Sequence, residues 1–175
     1  MEAASLTFDI DPADIDETPR PDEQPIAYVE RLARSKAEAV AARRPAATII
    51  GADTIVAVDG RLLGKPDDAT HAAEMLSMLS GRDHQVLTGV AVSRDGRTVG
   101  SVGVTTVWFK DLDAATIDRY VAGGEPLDKA GGYGIQGEGR ALVARIEGAF
   151  DNVVGLPMTL LSALLTRTLG GTLSD

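Results

Sequence analysis

The sequence predicts an α/β fold, a mixed β-sheet with flanking helices. Segments whose apolar residues recur every three or four positions alternate along the chain with segments of strand character. Two turn signals, Asp59-Gly60 and Arg94-Asp95-Gly96, join strand segments as hairpins. Hydrophobic residues make up 44% of the 175 residues and charged residues 25%, the balance of a single globular domain, 1–175.

Residues 1–23 read as irregular to extended, with Leu6, Phe8 and Ile10 in a short alternating strand pattern. A helix is expected over 24–43, its apolar face formed by Val29, Leu32, Ala33, Ala37 and Val40. Lys36 falls on that same face. It either snorkels to the surface or points into a cleft. Residues 47–64 read as a strand and a hairpin, followed by Lys65-Pro66. Asp67 or Asp68 can cap a helix over 69–80 that stops at Gly81. Strands are expected at 84–93 and 98–109, and a short helix at 113–122 ending at Gly123-Gly124. A glycine-rich loop runs to Gly139, then a strand at 141–147 and a helix at 157–169.

The chain has no cysteine, which excludes disulfides and thiol catalysis and fits a reducing, cytoplasmic setting. With only two histidines, any metal is held mainly by oxygen ligands, favouring Mg2+ or Mn2+. His71 and His84 are read as surface or turn residues rather than ligands. A formal net charge of −9 argues against a nucleic-acid polymer as partner. No apolar run is long enough for a membrane span.

Asp53 sits in IIGADTIVAV, where nearly every neighbour is apolar. A buried carboxylate must be paired, protonated or at the edge of a cleft. It is therefore either a structural aspartate that caps a turn or bonds backbone amides, or a metal ligand or general base at a strand end. Three of the four lysines, Lys36, Lys65 and Lys129, lie in the same group of segments, and a compact ammonium suits phosphate. The loop GGYGIQG contains Gly132-x-Gly134-x-x-Gly137. That pattern binds dinucleotides only between a strand and a helix; here a strand follows, so that reading is rejected. The loop is left as either a structural turn or a backbone cradle for a phosphate or base. An aspartyl-phosphate nucleophile is discounted because Asp53-Thr54-Ile55 lacks the second acid.

Taken in order, DETPRPDE, YVERLARSKAEAV, IIGADTIVAVDGRLLGKP, MLSMLSGRDHQVLTGVAV, EPLDKAGGYGIQG and VVGLP resemble the Maf family of nucleoside triphosphate pyrophosphatases. The resemblance covers nearly the whole chain, and DKAGGYGIQG is similar to the branch that hydrolyses dTTP and UTP. It implies a Maf/inosine-triphosphatase-like fold and attack of water on the α-phosphorus, giving a monophosphate and pyrophosphate, with removal of non-standard nucleotides as the role. It implies Asp53 as general base, and Glu17 with Asp53 as ligands to a divalent cation. It implies Lys36 and Lys65 on the phosphates, and Thr54 and Gln136 as base-specificity positions. A pyrimidine nucleoside triphosphate is the implied partner, with homodimerisation.

Maf proteins open with a strand and a Ser-x-Ser-Pro-Arg-Arg loop, whereas this sequence starts MEAASLTFDIDPADIDET. The first strand and phosphate loop are thus missing from the expected fold. The favoured reading is a misassigned start, with Met1 internal to a longer natural protein; the other is a chain that is naturally short. In the second case the expectation is a catalytically impaired nucleotide- or partner-binding protein, linked to septum formation and cell-division arrest.

Overall fold

A computed structural model describes residues 7–170, and its frame is a five-stranded sheet. The elements are α1 (Pro25–Arg43), β1 (Ile49–Val58), β2 (Arg61–Leu63), α2 (Ala69–Leu79), β3 (Asp83–Arg94), β4 (Arg97–Phe109), α3 (Ala114–Ala122), β5 (Val143–Glu147), α4 (Phe150–Val154) and α5 (Met158–Leu169). Three short 3-10 turns carry the glycine-rich segment between α3 and β5. The helices and strands lie where periodicity put them, to within two residues at most ends. The five-residue α4 was not expected.

Strand order is β2-β1-β3-β4-β5, and every neighbouring pair is antiparallel. This corrects the expected mixture of parallel and antiparallel pairing for the described residues. The reason is local. Asp59 and Gly60, at φ 49° and 75°, reverse the chain between β1 and β2, and Asp95 and Gly96 do the same between β3 and β4. The Asp68 side chain accepts from the His71 N–H and starts α2, which carries the chain from one side of β1 to the other.

The pleat of β3 sorts the core. Leu87, Gly89 and Ala91 face α1, where Val29, Leu32, Ala33 and Ala37 are buried. Val86, Val90 and Val92 face the other way, against α2 (Met75, Leu76, Leu79) and α5 (Leu161, Leu164). Helices therefore cover both faces. A Cβ on Gly89 would meet the Val29 backbone carbonyl, and one on Gly51 the Ala33 carbonyl and the Ala37 amide. These two glycines let α1 lie directly on the sheet.

Phe8 and Ile10 are 73% and 84% exposed in an irregular segment, so the alternating pattern there makes no strand among the described residues. Leu6 lies outside them. The segment is tied to α1 instead: Asp11 pairs with Arg43 at 2.6 Å and Arg44 at 3.0 Å, and the Tyr28 hydroxyl donates to the Glu17 carbonyl at 2.8 Å. Among the described residues, β2 covers β1 only from Val56 to Val58, leaving Ile49–Ile55 as an open edge. No helix among them is long and apolar enough to cross a membrane.

Candidate active site

The open edge of β1 borders a cleft of about 480 Å³. Because Asp53 and Thr54 are consecutive on a strand, they project to opposite faces of the sheet, and at an uncovered edge both reach the same cleft. Asp53 joins Glu17, Tyr28 and Lys36 on the α1 side. Thr54 joins Val86, Tyr133 and Val153–Gly155 on the other. Lys65, Asp128, Lys129 and Ala130 complete the wall. The cleft is thus charged at one end and apolar at the other.

At the charged end, Lys36 Nζ lies 2.5 Å from Asp53 Oδ1 and 2.8 Å from Glu17 Oε1. The helical face that carries Val29, Ala33 and Val40 inward carries Lys36 to this point, so the cleft reading of that lysine holds over the snorkelling one. Burial opposes the Lys36 charge, but its hydrogen bonds to Asp53 and Glu17 outweigh that and hold its pKa above the ordinary lysine value. Burial pushes the Asp53 carboxyl above the ordinary aspartate value, although Lys36 pulls it down. One ammonium serves two carboxylates, so the trio carries a net negative charge, and the more buried acid bears the cost.

The same geometry tests the implied divalent cation. A single cationic position already lies between two hard oxygen donors, Glu17 and Asp53. No cluster of three or more His, Asp or Glu ligands occurs among the described residues. Two carboxylates plus substrate phosphates and waters is the manner in which Mg2+ is commonly held, so the donor set fits.

Not every expected residue converges. Gln136 is exposed and is not among the residues lining the cleft; Tyr133, three positions earlier in the same loop, is. Two residues given no role in this loop by the sequence hold it. His84, read there as a surface or turn residue, is only 2% exposed: it lies on the inward pleat of β3 beside Val86. Its Nε2 is 2.8 Å from the Tyr133 hydroxyl, its Nδ1 has no partner among the described residues, and its ring packs edge-on against Phe109 and Tyr133. Burial pushes the His84 pKa down to about 4, so the imidazole is neutral. Glu125 accepts from the backbone amides of Glu138 and Gly139 and from the Tyr120 hydroxyl, which in turn accepts from the Gly134 amide. Its carboxylate packs against Gly134 and Gly137, where a Cβ would collide with it. The glycine pattern therefore serves the half-buried Glu125 carboxylate, and these amides are not free for a phosphate.

At the apolar end, the Thr54 and Thr88 hydroxyls are 2.9 Å apart, and Thr88 Oγ1 donates to the Asn152 carbonyl at 2.8 Å. The Asn152 side chain donates to the Val86 carbonyl and to Thr105, locking α4 onto β3 and β4. No periodicity signals such a chain, because its members are far apart in sequence.

A family model described as Maf-like protein matches residues 1–168. A dTTP/UTP pyrophosphatase of Moorella thermoacetica is 53% identical over 164 residues, 91% of this chain and 84% of its own. One from Myxococcus xanthus is 52% identical over 163 residues, covering 93% and 82%. One from Nitrosomonas europaea is 47% identical over 162 residues, covering 90% and 78%. Matched by the family model over nearly its whole length and by these relatives at about half identity, the chain belongs to the Maf family.

Proposed function

We propose that this chain is a nucleoside triphosphate pyrophosphatase that converts dTTP and UTP to the monophosphate and pyrophosphate. The observation that carries the reading is the Glu17–Lys36–Asp53 trio at the charged end of a cleft whose other end is apolar. The names of the relatives support the substrate.

Triphosphate anions are drawn to Lys36 and Lys65, and Lys129 adds charge to the same wall. As the phosphates engage Lys36, the Asp53 carboxylate is released from its ammonium partner. It then takes the proton of a water whose oxygen attacks the α-phosphorus. The bond from that phosphorus to the bridging oxygen breaks, and pyrophosphate leaves with the electron pair. Glu17 and Asp53 would hold the divalent cation, which when bound polarises the phosphoryl oxygens and offsets charge on the leaving group. Thr54 faces the base end, and Gln136 would act from the rim of the loop.

The test is pyrophosphate release from dTTP, UTP, CTP, dATP and GTP with Mg2+ or Mn2+, run beside Asp53→Asn. Pyrimidine-selective release that Asp53→Asn abolishes is the expected result. No release by folded protein from any of these nucleotides would sink the reading.

A further inference from the structure

We propose that Thr88 and Asn152 are positioning residues that make Thr54 a hydrogen-bond acceptor, so that the cleft selects uracil and thymine over cytosine. This rests on the pyrophosphatase reading and deepens it.

A hydroxyl has one hydrogen to donate and lone pairs to accept. The Asn152 carbonyl can only accept, so the Thr88 hydrogen is committed to it. Thr88 can then meet Thr54 only as acceptor, and the Thr54 hydrogen is committed in turn. Thr88 is fully buried, and the Asn152 side chain pins the end of the chain to Val86 and Thr105, so the direction does not reverse. What Thr54 offers the cleft is lone pairs.

Thr54 lies at the apolar end, among Val86, Tyr133 and Val153–Gly155, where a planar base would lie if the phosphates take the lysine end. Uracil and thymine carry a hydrogen on N3. Cytosine carries a lone pair there. In the same pose, N3–H donates to Thr54, while cytosine sets lone pair against lone pair and leaves two desolvated acceptors unpaired.

The measurement is the ratio of kcat/KM for UTP to that for CTP. Wild type should prefer UTP by roughly tenfold or more, the scale of one mispaired polar contact in a desolvated site. Thr88→Val keeps the shape of a buried residue but frees the Thr54 hydrogen, so the ratio should collapse by roughly tenfold, with CTP gaining in absolute terms. Thr88→Ser, which restores the hydroxyl, should retain the wild-type ratio. A merely structural role would lower both substrates together. If Thr88→Val does not fold, Thr54→Val supplies the test: it should weaken UTP and remove the lone-pair clash with cytosine, so the ratio falls. An unchanged ratio in folded Thr88→Val, or no UTP preference in wild type, overturns the proposal. Calorimetric titration with the α,β-imido analogues of UTP and CTP separates the two levels. Selective binding without hydrolysis sinks the pyrophosphatase reading alone; hydrolysis without selectivity sinks this one alone.

Discussion

Lys36 and Asp53 meet across the α1–β1 interface at 2.5 Å, the shortest of the ion pairs in the cleft. As the proposed general base, Asp53 would act only when deprotonated, and burial raises its pKa above the usual 3.8. The acid limb of kcat/KM should therefore fall above that value. Lys36→Met removes the group that favours the carboxylate, so the limb should move to still higher pH. The rate should also drop about 100- to 1,000-fold, as when one preorganised electrostatic partner is lost. Pyrophosphate release measured across pH checks both.

The Lys36–Asp53 distance depends on how closely α1 sits on the sheet. Gly89→Ala would drive a methyl into the Val29 carbonyl and push the helix outward. A loss of about 1–3 kcal/mol of stability is expected from such overpacking. Activity should fall even at temperatures where the variant is fully folded, because Lys36 moves with the helix. Denaturant unfolding beside the release assay separates the two effects.

Glu125 closes the glycine-rich loop from beneath. Burial works against its charge, yet the Glu138 and Gly139 amides and the Tyr120 hydroxyl hold its pKa below the ordinary glutamate value. Glu125→Ala orphans those donors and should cost about 1–3 kcal/mol. Faster hydrogen exchange at the Glu138 and Gly139 amides would locate the loss in the loop.

His84 should make stability fall with acid. Its folded pKa of about 4 lies below the ordinary 6.5 because burial excludes the charged ring; nearby Asp83 pulls it the other way. The rings facing it, Phe109 and Tyr133, offer no charge to an imidazolium. Between these values the unfolded chain takes up a proton that the folded chain refuses. Stability is thus full above the unfolded pKa and lost as pH falls toward 4, by up to about 3 kcal/mol. His84→Phe keeps the aromatic packing and removes the titration. The stability gap between wild type and variant should narrow by that amount from pH 6.5 to 4 in denaturant unfolding.

The sequence by itself determined the local elements and two of the residues that line the cleft. Helical periodicity placed Lys36 on the inward face of α1, and the conflict between a carboxylate and its apolar neighbours marked Asp53. Both signals are local: the first is a spacing along one helix, the second a cost that one residue cannot meet alone. Only the tertiary structure decided which residues meet. It set the antiparallel register that puts Thr54 opposite Thr88, seated His84 against Tyr133 and turned the glycine pattern to the service of Glu125. It also left Gln136 exposed outside the cleft. These partners are separated by up to 49 residues in the chain, as His84 and Tyr133 are. Hydrogen-bond pairing depends on distance and direction in space, and residue spacing carries neither once a loop intervenes.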